Sequence, residues 1–262
     1  MTGAHAIPRG ITRSADNGGD VDLAVVGALL ADRSRCRVLL ALGDGRALPA
    51  SLLAAEAEVT PATVSSHLGK LVAAGLLTVE QHGRHRYFRL AGPEVGELIE
   101  TLTRLAPTQP IRSLRQGTRA NALREARTCY DHLAGRLGVE IMRVMIDRGH
   151  LVGGDGAFDP ERADHDRLAG FGHDLDYRLS TDGAAFLAEL GVKLPEGRPA
   201  LRYCVDWSEQ RHHLAGGVGR GLLARMVDLG WLRRADTSRA VRVTDAGRAG
   251  LRKAFGLPFD PR

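Results

Sequence analysis

Two of the three cysteines in this 262-residue chain stand in matching phrases. The first phrase is CYDHLAG at residues 129–135, and the second is CVDWSEQRHHLAG at residues 204–216. Thiolate, imidazole and carboxylate groups are donors for a tetrahedral Zn-like ion, and a cysteine pair can instead form a redox switch. The phrases therefore mark a candidate metal or effector site. Its candidate residues are Cys129, Asp131, His132, Cys204, Asp206, His212 and His213.

Other interpretations of the same phrases stay open. Asp131 and Asp206 are suitable N-caps for the helices that follow them, and a buried cysteine packs as a small apolar residue. Neither phrase contains the C-x-x-C or H-x₃-H spacing of many zinc sites. An organic effector is a further alternative, because most of the aromatic residues lie in the same half of the chain. These are Tyr130, Tyr177, Phe186, Tyr203, Trp207 and Trp231.

The phrases open two longer repeats. HLAGRLGVEIMRVMIDRGHL at 132–151 aligns without a gap with HLAGGVGRGLLARMVDLGWL at 213–232, and YRLSTDGAAFL at 177–187 then matches VRVTDAGRAGL at 241–251. Each repeat predicts a helix, a turn at glycine, an extended segment and a closing helix. We therefore expect residues 128–262 to form two degenerate winged-helix-like units, whose pseudo-symmetry brings the two phrases close together.

Earlier in the chain, the segment TPATVSSHLGKLVAAGLL predicts a helix with one polar face. Thr60 is a suitable N-cap and Pro61 a suitable first residue. Val64, Leu68 and Leu71 recur at helical spacing, so they face the core. Short polar side chains and one cation are left facing outward, as a helix that enters the DNA major groove requires. The outward residues are Thr63, Ser65, Ser66, His67 and Lys70.

A basic hairpin follows this helix. LLTVEQHGRHRYFRL at residues 76–90 has a central glycine and predicts two strands joined by a turn. Arg84, His85 and Arg86 lie at its tip and on its return strand, where cations can follow the phosphate backbone. A helix pair, a polar-faced helix and a basic hairpin, in this order, predict a winged helix-turn-helix domain that binds DNA. Thr60 completes the candidate DNA contacts.

Residues 21–106 resemble the winged helix-turn-helix of ArsR/SmtB-type transcriptional regulators. The resemblance is carried by ADRSRCRVLLAL, VSSHLGKLVAAGLL and GRHRYFRL. It implies a homodimer that represses its operator, an imperfect palindrome in double-stranded DNA, and releases it when an effector binds. It also implies DNA contacts on the residues just named, and dimerisation through the first and last helices of the domain. The dimerisation residues are Leu23, Val26, Leu98, Leu102 and Leu105.

The sensor positions known in that family are not filled in this chain. Lys70 and Ala74 stand where cadmium- and lead-responsive members have cysteines, and SLLA at 51–54 replaces the cysteine pair of arsenic-responsive members. The helix PEVGELIETLTRLA at 93–106 has no histidine, unlike that of zinc- or nickel-responsive members. We therefore expect sensing in the C-terminal half. The cofactor is unknown from the sequence, with a Zn-like transition metal ion as the candidate.

The fold class expected is mainly α with small β-hairpin wings. The expected segments are a disordered tail at 1–19, the winged helix-turn-helix domain at 20–106, a basic linker with a connector helix at 107–127, and the C-terminal domain at 128–262. Few cysteines and the lack of a long apolar run or an apolar leader predict a cytoplasmic protein without membrane contact. A net charge of +5 fits a polyanionic partner such as DNA.

Two other functions compete with a ligand-controlled regulator. A DNA-binding protein without ligand control would use its C-terminal half as a second DNA contact, through arginines on a wing-like hairpin. These are Arg233, Arg234, Arg239 and Arg242. A thiol-dependent enzyme would use Cys129 with His132, or Cys204 with His212. No Gly-rich phosphate loop, nucleophile elbow or metal-hydrolase motif supports an enzyme, so we predict a regulator without enzymatic activity.

Overall fold

The computed structural model of the chain describes residues 21–82, 85–107, 110, 113–158, 177–194, 200–236 and 238–258. The chain divides into two compact units, Met1–Ile99 and Glu100–Arg262. The division falls inside the helix Pro93–Leu105, ahead of the domain end that the sequence suggests at residue 106. The expected disordered tail at 1–19 lies outside the described residues.

The first unit combines short helices with a three-stranded sheet. Its helices are α1 (Leu23–Leu30), α2 (Arg33–Ala41), α3 (Ala50–Ala57), α4 (Pro61–Ala73) and the beginning of α5 (Pro93–Leu105). Its strands are β1 (Leu48–Pro49), β2 (Leu77–His82) and β3 (His85–Leu90), in the antiparallel order β1-β3-β2. The helices and the basic hairpin were predicted correctly. Strand β1 was not predicted, because two residues are too few to show a period.

Capping at both ends determines where α4 begins and ends. The Thr60 hydroxyl accepts a hydrogen bond from the Thr63 N–H at 3.2 Å, and Pro61 occupies the first helical position. Gly75 adopts a left-handed φ of 68° after the helix, and the Leu76 N–H then donates to the Leu71 carbonyl. These caps fix the ends of α4, and its three buried apolar residues turn one side of the helix toward the core.

A connector helix, α6 (Leu114–Glu125), precedes the repeats. It lies inside the segment at 107–127 for which the sequence predicts a basic linker and a connector helix. Its N-cap is Ser113, whose hydroxyl accepts a hydrogen bond from the Gln116 N–H at 3.2 Å.

The second unit contains two copies of a hairpin–helix–hairpin–helix arrangement. The first copy comprises β4 (Arg127–Cys129), β5 (His132–Ala134), α7 (Gly135–Asp147), β6 (Leu151–Val152), β7 (Arg178–Leu179) and α8 (Thr181–Leu190). The second comprises β8 (Arg202–Val205), β9 (His212–Ala215), α9 (Gly216–Asp228), β10 (Leu232–Arg234), β11 (Val241–Val243) and α10 (Asp245–Phe255). The helix, the extended segment and the closing helix of each repeat were predicted; the leading hairpins were not.

The two copies agree in their local detail. Gly135 and Gly216 open α7 and α9 with left-handed φ values of 78° and 69°. Ser180 and Thr244 cap α8 and α10, each with a hydroxyl 3.0 Å from the N–H of a residue in the first turn. Equivalent residues therefore perform equivalent structural tasks, as an internal repeat requires.

The copies pack by exchanging contacts around their glycines. A Cβ on Gly138 of α7 would lie 2.5 Å from a carbonyl oxygen of β5 and 3.6 Å from the Cβ of His213 in β9. A Cβ on Gly219 of α9 would lie 2.4 Å from a carbonyl oxygen of β9 and 3.1 Å from the Cβ of His132 in β5. Each helix therefore packs tightly against its own leading hairpin and reaches the hairpin of the other copy.

The apolar core of the second unit is built from α7, α9 and several aromatic side chains. Tyr177 and Tyr203 are buried with their rings edge-on at 5.3 Å, and Phe186 packs edge-on to Phe255 at 5.4 Å. Tyr177, Tyr203 and Phe186, which the sequence offered as residues of an organic-effector pocket, take part in the core. Across the ranges that the structure describes, no helix is long and apolar enough to cross a membrane.

Candidate metal centre and nucleic-acid interface

One face of α4 is polar and open to solvent. Val64, Leu68 and Leu71 are buried on the opposite face. The open face offers hydroxyl groups and one cation, which are suited to base edges and to phosphates. The exposed residues among the predicted contacts are Thr60, Thr63, Ser65, Ser66 and Lys70.

The hairpin of β2 and β3 carries the predicted wing cations. His85 and Arg86 are exposed at the start of β3, close to the turn. Further along the strand, Arg89 forms an ion pair with Glu80 at 2.8 Å. Arg84, the third predicted wing contact, lies outside the described residues.

His67 differs from the other predicted residues of α4. Its side chain is only 13 % exposed, and its Nε2 lies 3.8 Å from the carboxylate of Asp32. Asp32 also caps α2 by accepting a hydrogen bond from the Arg35 N–H at 2.9 Å. The expectation that His67 faces outward is therefore wrong, because the residue lies in the contact between α4 and the start of α2.

Each leading hairpin of the second unit places a cysteine opposite a histidine. Cys129 faces His132 across β4 and β5, and Cys204 faces His213 across β8 and β9. Directly opposed side chains of antiparallel strands share one face. The packing of the two copies then joins both pairs, so the two sulfurs and one ring nitrogen of each histidine all lie within 4.8 Å of one another.

This four-residue group, called the Cys/His cluster below, has the donor set of a tetrahedral zinc site. Bond lengths of about 2.0–2.3 Å place the donors of such a site about 3.3–3.8 Å apart. The separation limit of 4.8 Å is wider by about 1 Å, which small side-chain rotations can close. All four residues are buried, and two thiolates would balance the charge of a divalent ion.

The two histidine rings carry buried nitrogens that make no hydrogen bond to a described residue. His132 and His213 are 3 % and 1 % exposed. Within the described part of the chain, neither His132 Nε2 nor either ring nitrogen of His213 has a hydrogen-bond partner. A buried polar group without a partner costs about 1–3 kcal/mol, so these nitrogens favour an occupant in the cluster.

Asp131 supports the Cys/His cluster from behind one ligand. Its Oδ1 lies 3.2 Å from Nδ1 of His132, which leaves Nε2 directed to the cluster. Its other carboxylate oxygen lies 3.9 Å from Arg220. A carboxylate on the second nitrogen of a histidine is typical of metal-binding imidazoles, because it orients the ring and raises its basicity.

Asp206 is occupied by other partners, which corrects its assignment as a candidate ligand. Its Oδ2 lies 2.9 Å from Nη2 of Arg127 and accepts the Gly135 N–H at 2.7 Å, while Ser208 donates both its N–H and its hydroxyl to Oδ1. The carboxylate therefore caps α7 of the other copy and not the α9 helix that follows it. Oδ2 also lies 3.5 Å from Nδ1 of His213, behind the second histidine.

The charge state of Asp206 follows from these partners. Burial acts to raise the pKa of its carboxyl, but Arg127, His213 and the donated hydrogen bonds hold that pKa below its ordinary value. The ionised carboxylate thus neutralises a guanidinium that is itself 0 % exposed. This buried pair ties β4 of one copy to the β8–β9 loop of the other.

His212 does not belong to the Cys/His cluster. Its Nδ1 lies 2.9 Å from the Tyr177 hydroxyl, and its ring is 4.2 Å from that of Tyr203. The Tyr177 oxygen also accepts the Gly156 N–H at 2.9 Å. His212 is therefore a core histidine, and of the two neighbouring histidines proposed from the sequence it is His213 that joins the cluster.

The thiol of Cys129 is held in its neutral form. Contact with Cys204 and burial raise the pKa of Cys129 well above its ordinary value. Burial lowers the pKa of His213, so its imidazole is neutral, which is the form that binds metal ions. At His132, the effect of burial is outweighed by Cys129 and Asp131, which raise the pKa to about 10, so a metal ion would have to displace the proton of this ring. A divalent cation would reverse the balance at the sulfurs, because it stabilises thiolates.

The chain is similar to known proteins over most of its length. A model described as a helix-turn-helix domain matches residues 30–80. The uncharacterized HTH-type transcriptional regulator YdfF of Bacillus subtilis is 38 % identical over 240 residues, which cover 90 % of this chain and 98 % of that protein. The chain belongs to the HTH-type transcriptional regulators. The predicted ArsR/SmtB-type winged helix-turn-helix regulator with an additional C-terminal region is thereby confirmed.

Shorter proteins match about a third of the chain. The HTH-type transcriptional regulator CmtR of Mycobacterium tuberculosis is 38 % identical over 92 residues, covering 34 % of this chain and 77 % of that protein. A homodimeric winged helix-turn-helix DNA-binding domain from Mycobacterium bovis is 25 % identical and covers 34 % of this chain and 89 % of its own, with a TM-score of 0.29.

The sequence did not reveal that three charged residues, Arg127, Arg239 and Glu100, are buried in ion pairs. Arg127 pairs with Asp206, and Arg239 forms a buried ion pair with Glu100 of α5. Buried ionised groups are paired almost without exception, but a sequence does not show which partner is used. The pairing of Arg239 also removes it from the arginines proposed as a second DNA contact, of which Arg233 and Arg242 are exposed.

Proposed function

We propose that the regulator is a homodimeric repressor that binds a palindromic operator and releases it when an effector binds in the second unit. The observation that carries the DNA-binding part is the exposed polar face of α4, held in place by the Thr60 cap and the buried apolar side. Thr63, Ser65 and Ser66 contact base edges in this proposal, and Lys70, His85 and Arg86 contact phosphates.

A second copy of the chain is the proposed partner of the apolar residues left uncovered. Leu23 in α1 is 78 % exposed, and Leu105 in α5 is 67 % exposed. Leu102 is also exposed, whereas Val26 and Leu98 are half-buried. Exposed large apolar side chains on two helices support an interface, and a two-fold dimer places two recognition helices in successive major grooves.

The effector is sensed at the Cys/His cluster in this proposal. The observation that supports it is the convergence of four buried donors from both copies, with ring nitrogens that no other described residue uses. The organic-effector alternative has less support, because Tyr177 and Tyr203 are buried in the core.

The DNA-binding proposal is tested by the specificity of the full chain. The preferred operator is first selected from randomised duplexes, and the affinities for it and for unrelated DNA are then measured. Ser65→Ala/Ser66→Ala should lower the ratio of the two by about 5- to 150-fold, because base-edge contacts are worth about 1–3 kcal/mol. Thr118→Ala, whose hydroxyl bonds to a carbonyl inside α6, is the matched control and should leave the ratio unchanged. An unchanged ratio in Ser65→Ala/Ser66→Ala would show that α4 is not the helix that contacts the bases.

A further inference from the structure

We propose that Cys129, His132, Cys204 and His213 bind one divalent thiophilic cation such as Zn²⁺, and that strand β4 passes the binding event to helix α5. This inference rests on the proposed function, because it names the class of the effector and the route by which it acts.

The donor set selects the class of cation. Two sulfurs and two imidazole nitrogens suit Zn²⁺, Cd²⁺ and Co²⁺, whereas Mg²⁺ and Ca²⁺ take oxygen ligands. The nearest carboxylates are used elsewhere, since Asp131 contacts the back of His132 and Asp206 pairs with Arg127. Loss of two thiol protons would leave the site neutral with a divalent ion bound, which a buried position favours.

The site is built for an ion by both copies together. Each copy supplies one cysteine and one histidine from directly opposed strand positions. Gly138 and Gly219 allow each helix to pack close to the histidine of the other copy. A carboxylate stands behind each histidine, 3.2 Å away at His132 and 3.5 Å away at His213. Each copy therefore contributes the same kinds of group, namely two ligands, a glycine that permits close packing and a carboxylate near a histidine.

Strand β4 joins the Cys/His cluster to a buried ion pair. Cys129 ends the strand, and its neighbour Thr128 donates its N–H to the carbonyl of Arg239 at 2.9 Å. The Thr128 hydroxyl contacts the same carbonyl at 3.3 Å. The guanidinium of Arg239 pairs with the carboxylate of Glu100, and both residues are buried. A shift of Cys129 toward an ion would thus move the backbone that holds Arg239.

Helix α5 receives this signal through Glu100, whose buried carboxylate is the ion-pair partner of Arg239. Helix α5 begins in the first unit and ends in the second without a break. A displacement of α5 is therefore a means of changing operator affinity.

Metal uptake is measured on the reduced full chain with Co²⁺ as the probe. We expect one Co²⁺ per chain, with the intense visible bands of a tetrahedral ion and a thiolate charge-transfer band, and displacement by Zn²⁺. Cys129→Ser and Cys204→Ser should lose both signals. Cys36→Ser is the matched control, because that thiol lies in the first unit and donates to the Leu30 carbonyl at 2.9 Å.

A second pair of variants keeps the metal test independent of folding. His213→Gln should lose tetrahedral binding, whereas His212→Gln should keep it, because of these two neighbouring histidines only His213 belongs to the cluster. Far-ultraviolet circular dichroism confirms that each variant is folded. Absence of Co²⁺ uptake by the reduced wild-type chain would overturn the site. A Cys129–Cys204 disulfide in place of metal uptake would also overturn it in favour of a redox pair.

The coupling through α5 is tested with Glu100→Gln/Arg239→Gln, which removes both charges and leaves a polar side chain at each position. In the wild-type chain, Zn²⁺ should weaken operator binding by about 5- to 150-fold, the usual range of allosteric coupling. The double variant should bind Co²⁺ as before while its operator affinity becomes insensitive to metal. A metal response of wild-type size in the double variant would overturn the route through α5.

The outcomes separate this inference from the proposed function. If the wild-type chain binds Co²⁺ but its operator affinity does not change, the cation is structural and the regulatory part is wrong. If the chain binds no operator at all, the proposed function fails while the metal result stands by itself.

Discussion

The two carboxylates behind the histidines have different surroundings. Asp131 is partly exposed and holds His132 by a hydrogen bond at 3.2 Å. Asp206 is fully buried, and it also neutralises Arg127 and caps α7. The same position in the two copies thus serves mainly as a ligand support in one and as a structural ion pair in the other.

Replacement of Asp206 by asparagine tests this difference. Asp206→Asn should lower the free energy of unfolding of the second unit by about 3–5 kcal/mol, because it leaves the buried Arg127 charge without a counterion. Both tryptophans, Trp207 and Trp231, lie in the second unit, so urea unfolding followed by tryptophan fluorescence reports on this unit.

The control for that measurement is Asp228→Asn at the exposed end of α9. It should change the free energy of unfolding by no more than about 0.5 kcal/mol, as is usual for exposed positions. If Asp206→Asn unfolds at the same urea concentration as the wild-type chain, the ion pair with Arg127 contributes no net stability.

At the scale of elements, the close contact between helices and leading hairpins depends on glycine. Gly219→Ala would place a Cβ 2.4 Å from a carbonyl oxygen of β9 and 3.1 Å from the Cβ of His132. The strand or the helix must then move, and we expect a loss of about 1–3 kcal/mol in stability, as for other overpacked sites. Thermal unfolding followed by circular dichroism measures this loss.

Gly69→Ala is the opposite case, because a Cβ at this position of α4 meets nothing within 4 Å. Alanine favours the helix over glycine by about 0.5–1 kcal/mol, so this variant should unfold at the same temperature or higher. A loss of stability in Gly69→Ala, or none in Gly219→Ala, would contradict the packing described for the two helices.

The elements also explain which parts of the Cys/His cluster were predictable. The repeats align without a gap from His132 and His213 onward, so a meeting of the two phrases followed from pseudo-symmetry. The choice between His212 and His213 did not, because β9 is buried at all four positions and shows no alternation between core and solvent. The pairing of Asp206 with Arg127, which are 79 residues apart, leaves no local pattern in the sequence.

For the first unit, local rules predicted more of the structure. The Thr60 cap, the following proline and the apolar spacing of α4 determined its beginning and its buried face. His67 is the exception on this helix, because its contact with Asp32 depends on tertiary packing and not on helical phase. Periodicity thus predicts the face of a helix but not the contacts at the border of that face.

At the scale of the whole molecule, the proposed dimer determines how many cations meet the DNA. One Lys70 per chain lies on the exposed face of α4, and a two-fold assembly would bring two of them to phosphates. The logarithm of the binding constant falls linearly with the logarithm of salt concentration, by about 0.9 for each phosphate contact. The salt dependence of operator binding therefore counts the lysines that take part.

Lys70→Ala should lower the magnitude of this slope by about 1.8, twice the value of one phosphate contact, if the regulator binds as a dimer. Lys253→Ala, at an exposed position of α10, is the matched control and should leave the slope unchanged. The slopes come from fluorescence anisotropy titrations of the operator at several salt concentrations. A decrease of about 0.9 would mean that a single chain occupies the DNA, and the exposed Leu23 and Leu105 would then need another partner. If the slope does not change, Lys70 does not contact phosphates. Helix α4 would then lie in the groove in a different orientation from the one proposed.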